Sequence, residues 1–139
     1  MKGYLLDTNV VSELRKSGRG DTHLRHWFSA HRDDEFWLSV LVVGELRRGV
    51  ELIARRDAPA AQTLRTWLES IASEFSDRIL PVTMAISERW ALISVPDPVP
   101  VVDGLLAATA IEHKLTLVTR NVADVSRTGA AFVNPFEFS

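Results

Sequence analysis

The chain has 139 residues, of which 46% are hydrophobic and 24% charged, with no cysteine and a formal net charge of -2. That fits a single domain over residues 1–139, long enough to bury a core and too apolar to be disordered. Disulfide frameworks and thiolate metal sites are excluded. So is the strongly basic balance with which proteins grip long stretches of nucleic acid, and any RNA contact must rest on local patches or on a bound cation.

The opening Met1-Lys2-Gly3-Tyr4-Leu5-Leu6-Asp7 is too short and too soon closed by an acid to be a signal-peptide core. No charge-free apolar run reaches the roughly 18 residues of a membrane span, so a soluble, cytoplasmic protein is expected. Gly3 to Leu6 reads as a strand buried on both faces. Asp21 to His31 reads as a helix with Leu24, Trp27, Phe28 and His31 on one side. Phe36 to Leu38 is a short strand, and Ser39 caps the helix that follows, whose apolar face is Val42, Leu46, Val50 and Ile53. Asp57-Ala58-Pro59 starts the next helix, with Ala61, Leu64, Trp67, Leu68, Ile71 and Phe75 on one stripe.

Ile79 to Val82 is a weak strand that Pro81 confines to an edge or an end. Thr83 caps a helix using Ile86, Trp90 and Ile93. Pro96, Pro98 and Pro100 make Ser94 to Val102 an extended connection. Asp103 opens a helix, Gly104 to Lys114, that is apolar nearly all round and therefore buried. Thr116 to Thr119 and Ala131 to Val133 are the remaining strands. Strands alternating with helices predict an α/β domain with a mainly parallel sheet covered on both sides, and in such sheets the working site lies off the carboxyl ends of the strands.

Four acids fall where they could meet above those ends. Asp7 follows the first strand, Asp103 opens the buried helix, Asp124 follows Thr119-Arg120-Asn121, and Glu45 borders the apolar face of its helix. Each has a structural reading too: Asp7 and Asp103 as helix caps, Asp124 in an Asx turn, Glu45 as a paired acid at a core edge. Caps explain where the acids are but not why three arise at sheet-end positions. Convergent carboxylates repel unless a cation neutralises them. Oxygen-only ligands select a hard ion, Mg²⁺ or Mn²⁺, suited to activating water against a phosphodiester.

Leu5-Leu6-Asp7-Thr8-Asn9-Val10, Leu41-Val42-Val43-Gly44-Glu45-Leu46-Arg47-Arg48-Gly49, Asp103-Gly104-Leu105-Leu106-Ala107-Ala108-Thr109-Ala110 and Leu117-Val118-Thr119-Arg120-Asn121, down to the closing Asn134-Pro135-Phe136, resemble the PIN-domain family. Within it they look most like the VapC toxins of bacterial type II toxin–antitoxin systems. The resemblance implies a three-layer α/β/α domain with about five mainly parallel strands, and an endoribonuclease that needs Mg²⁺ or Mn²⁺ and leaves a 5′-phosphate and a 3′-hydroxyl. By match, Asp7 and Asp103 hold the metal, and Glu45 holds it or orients the attacking water. Thr8, Asn9, Ser12 and Thr119 steady the acids. Many relatives carry an acid where this chain has Asn121, so either Asp124 reaches the site or Asn121 serves as a neutral ligand. The resemblance also implies a homodimer silenced by a VapB-like antitoxin whose tail lies in a groove near the site, with a heterotetramer or larger assembly and DNA reached only through the antitoxin.

Arg120, beside the acids, is the expected phosphate contact, while Arg47, Arg48, Arg55 and Arg56 read as a solvated basic face with some call on RNA. The four histidines form no site, and Trp27, Trp67 and Trp90 read as core or as an apolar groove for a partner. Two rival readings are a catalytically silent PIN-like module that only binds RNA or a partner, and another Mg²⁺-dependent α/β phosphohydrolase with Asp7 as nucleophile. Phosphatases of the latter kind usually carry an acid where Asn9 stands.

Overall fold

The computed structural model describes residues 2–139, so Met1 of the opening stretch lies outside the described residues. Five strands, β1 (Gly3–Leu6), β2 (Glu35–Ser39), β3 (Ile79–Leu80), β4 (Thr116–Val118) and β5 (Phe132–Val133), form one sheet in the order β3-β2-β1-β4-β5. Every pairing is parallel. β1 is central, with Leu5 in register with Trp37 on one side and Leu117 on the other. Its Tyr4, Leu5 and Leu6 are all buried, as an unbroken apolar run requires when helices cover both faces.

Among the described residues seven helices surround the sheet: α1 (Thr8–Leu14), α2 (Thr22–Ala30), α3 (Val40–Ala54), α4 (Ala58–Glu74), α5 (Met84–Ile93), α6 (Val101–His113) and α7 (Val122–Val125). The chain steps from β1 through β2 to β3 in one direction, then crosses back to β4 and β5. Right-handed crossovers therefore place α1 to α4 on one face and α5 to α7 on the other. The packing agrees, with α3 against α4 and α1, and α6 against α5 and α7. Among the described residues no helix is long and apolar enough to cross a membrane.

Local chemistry explains the longer helices. Ser39 Oγ accepts from Leu41 N at 3.0 Å to start α3, and Val42, Leu46 and Val50 bury its inner face at spacings of four residues. Asp57 caps α4 through Ala60 N, with Pro59 in its first turn, and Thr83 caps α5 through Ile86 N. Along α6, Gly104 and the run Leu106 to Ala110 are all buried, so that helix lies inside the domain.

Several boundaries differ from the sequence expectation. α6 begins at Val101 rather than after Asp103, because Pro100 supplies the extended N-cap residue and the chain turns helical as soon as the prolines end. The extended connection is thus shorter than 94–102, and Asp103 is not a cap but lies in the first turn. α6 ends at His113, where Lys114 adopts a left-handed conformation at φ 56°. α1 and α7 replace segments with no expected helix. α1 buries only Val10 and Val11, and α7 has four residues, so neither shows a helical period. β3 spans two residues at the sheet edge, as Pro81 demands.

Leu5 is fully buried on the central strand. Leu5→Ala should cost about 2–5 kcal/mol, read as a lower urea midpoint at unchanged m-value. A cost below about 1 kcal/mol would mean that β1 is not at the centre of the core.

Candidate active site

The sheet order reverses between β1 and β4, where parallel α/β sheets leave an open crevice at the carboxyl ends of their strands. Asp7 leaves β1 there and Thr119 leaves β4, and Asp7 N donates to Val118 O at 2.9 Å. A pocket of about 350 Å³ opens above this point, lined by Asp7, Thr8, Asn9, Glu45, Arg48, Asp103 and Asn121.

Asp7 is the floor of the pocket and only 4% exposed. It occupies the N-cap position of α1, yet its carboxylate does not reach the second or third helical N–H as a capping acid does. One oxygen accepts from Thr8 N at 2.7 Å, and the other from Thr119 Oγ1 at 2.6 Å and Asn9 Nδ2 at 3.3 Å. Thr119 Oγ1 in turn accepts from Asn121 N at 2.9 Å, and Asn9 Oδ1 accepts from Arg120 N at 3.3 Å. The turns after β1 and β4 are thereby clipped together around one carboxylate.

Asp103 faces Asp7 from the first turn of α6, and Asn121 lines the pocket beside them. Glu45 stands on α3 at the pocket rim. It is exposed rather than bordering the core, and Thr8 Oγ1 donates to its Oε1 at 2.5 Å. Burial raises the Asp7 carboxyl above its ordinary range, and the charge of Glu45 adds to that, while the bonds from Thr119, Thr8 and Asn9 pull it back. Asp103 is raised by burial first, then by Asp7, and further by Asp124 and Glu45, with only Asn121 opposing. The four acids therefore share one field.

Not every expected residue joins them. Asp124 sits on α7 and acts on Asp103 through its charge without lining the pocket. Ser12 lines an adjoining apolar groove instead, and among the described residues no hydrogen bond links it to an acid. The Arg120 guanidinium lies 3.7 Å over the Phe136 ring and outside the pocket lining, a placement that depends on a contact 16 residues away in sequence. Arg48, which the helical pattern assigned to the solvated face, lines the pocket. Its position three residues after Glu45, one helical turn away, is the signal that marks it. No histidine lines the pocket.

Among the described residues, no three acidic or histidine side chains close into a ready-made ion cage. The donors nonetheless fit a hard divalent cation, which takes one or two carboxylates and keeps several waters. Two carboxyls raised by burial and by neighbouring acids, Asp7 by Glu45 and Asp103 by Asp7, Asp124 and Glu45, are the groups such an ion would relieve.

A PIN domain profile matches residues 4–129. Over 138 residues the chain is 32% identical to the Toxin FitB of Neisseria gonorrhoeae, spanning 95% of this chain and 97% of that protein. It is 28% identical to the VapC ribonuclease Y4jK of Sinorhizobium fredii, spanning 96% and 97%. The crystal structure of FitAcB from Neisseria gonorrhoeae is similar with a TM-score of 0.84 at 31% identity, covering 97% of this chain and 99% of that one. The structure of FitAB bound to a DNA fragment gives 0.83 at 29% identity, covering 98% and 97%.

A carboxyl raised by folding keeps a proton that the unfolded chain has already released. Asp103 therefore costs the metal-free fold nothing at low pH and withdraws stability as pH rises through the carboxylate range. Metal-free Asp103→Asn should melt above wild type at pH 7 and level with it near pH 3, in parallel thermal scans. A variant less stable than wild type at pH 7 would contradict this electrostatic account.

Proposed function

The chain belongs to the PIN-domain family, and from that premise we propose that it is a metal-dependent endoribonuclease, the toxin of a type II toxin–antitoxin pair. One observation carries the reading: Asp7 and Asp103 face each other at the sheet's switch point, both raised by burial and like charge, with one Asp7 oxygen on the first N–H of α1 and the other held by Thr119 and Asn9. A purely structural cap has no reason to sit among three other acids.

In this reading Asp7 and Asp103 hold Mg²⁺ or Mn²⁺, with Asn121 beside them as a neutral donor. The ion supplies positive charge to the phosphate and lowers the pKa of a water, so that a nucleophile exists at neutral pH. Thr119, Thr8 and Asn9 fix the Asp7 carboxylate in one orientation, which spares the ion the cost of ordering it. Glu45, held at the rim by Thr8, orients the attacking water and takes its proton. The new P–O bond forms as the bond to the 3′-oxygen breaks, leaving a 5′-phosphate and a 3′-hydroxyl that gains a proton from solvent. Asp124 adds field to Asp103 without touching substrate.

The same relatives support a VapB-like antitoxin as the partner, and we propose the toxin as a homodimer with DNA engaged only through that antitoxin. An apolar groove lined by Ile53, Leu64 and Trp67 shares Thr8 and Glu45 with the acid pocket. A chain segment laid in it would end at the acids, which suits inhibition by an antitoxin tail.

Cleavage of a mixed RNA pool by antitoxin-free protein, with Mg²⁺, Mn²⁺ or EDTA, tests the reading. Wild type should cut only with metal, and Asp103→Asn should lose more than the 10–100-fold typical of losing a supporting partner. Folded wild type that binds RNA but never cuts it in either metal would replace the enzyme with a silent binding module.

A further inference from the structure

We propose that Arg48 binds a backbone phosphate of the RNA inside the acid pocket, an assignment that rests on the ribonuclease reading above. The pocket is lined by three carboxylates, Asp7, Glu45 and Asp103, and by one cationic side chain, Arg48. A phosphate entering it meets repulsion from every ionised acid that a metal does not neutralise. A second positive group is needed on the substrate's side, and Arg48 is the one in place.

Two further observations mark it out. Among the described residues Arg48 is in no ion pair, although it shares the pocket with those acids. Its neighbour Arg47 is taken up by Glu51 at 2.9 Å, and Arg120 by the Phe136 ring. Arg55 lies seven residues further along the chain, about 10 Å by helical rise, and does not line the pocket. Arg48 is thus an exposed guanidinium held over an acid site but not spent on it. Its planar fork accepts two phosphate oxygens at once and keeps its charge at any working pH. α3 fixes the spacing, because Glu45 and Arg48 are one turn apart on the same side of the helix. The helix thereby presents the water-orienting acid and the phosphate-binding cation as one unit.

The test compares wild type, Arg48→Gln and Arg48→Lys in cleavage of a short single-stranded RNA with Mg²⁺. The same RNA is then bound to inactive Asp103→Asn protein with and without Arg48→Gln. Arg48→Gln should raise KM about tenfold with kcat within about twofold, and weaken binding by the same factor. The slope of log affinity against log salt should shrink by about 0.7, the value for one phosphate contact on a single strand. Arg48→Lys should recover part of the loss, whereas Arg32→Gln, on the loop before β2 at the far end of the sheet, should change nothing. Unchanged KM, affinity and salt slope in Arg48→Gln would overturn the assignment while leaving the nuclease intact, and so would a fall in kcat alone. RNA binding that needs Arg48 in a wild type that never cleaves would keep the contact and overturn the nuclease. Neither binding nor cleavage would overturn both.

Discussion

The hydroxyl of Thr119 donating to the buried carboxylate of Asp7 joins the ends of the two strands between which the sheet reverses direction. A carboxylate this buried is unfavourable unless its oxygens are satisfied, and here three donors from the turns after β1 and β4 satisfy them. The same bonds fix its orientation toward Asp103. The rest of the site follows from that fixed charge: α6 brings Asp103 opposite it, α3 brings Glu45 and Arg48 to the rim, and the start of α7 brings Asn121.

The fold makes this possible at modest cost because Asp7 and Asp103 sit at the ends of elements whose stability comes from elsewhere. β1 is held by its flanking strands and α6 by a nearly continuous buried surface. The packing energy of the core can therefore carry an electrostatically unfavourable cluster, as functional sites commonly require. On the proposed reading metal binding and stability would be coupled by the same charges, since a cation would relieve the repulsion that the acids impose on the fold.

Much of this was legible in the sequence, and for identifiable reasons. β1 is an unbroken apolar run, and α3, α4 and α5 carry both a capping side chain and a helical stripe, so they were readable one by one. α1 and α7 were not, since one turn or two of helix carries no period. Asp7, Asp103, Glu45 and Asn121, all marked by the sequence, line one pocket, whereas Asp124, marked with them, does not. Asp103 reads from the sequence as opening its helix, whereas it lies in the first turn, because the prolines before it hide where the helix begins. Glu45 was placed at the core edge, although its helix turns it to the rim. Arg48 lines the pocket and Arg120 does not: the ring that holds Arg120 is distant in sequence, and the acids that surround Arg48 come together only in three dimensions.

The central claim is that Asp7 and Asp103 form a cation site whose repulsion an ion relieves. Titration of Mn²⁺ into antitoxin-free protein, followed calorimetrically in buffers of different ionisation enthalpy, reads both binding and proton release. Wild type should bind Mn²⁺ with release of protons that grows as pH falls toward the carboxylate range, and both Asp7→Asn and Asp103→Asn should lose that binding while remaining folded. Wild type that takes up no Mn²⁺, or variants that bind it as wild type does, would contradict the account.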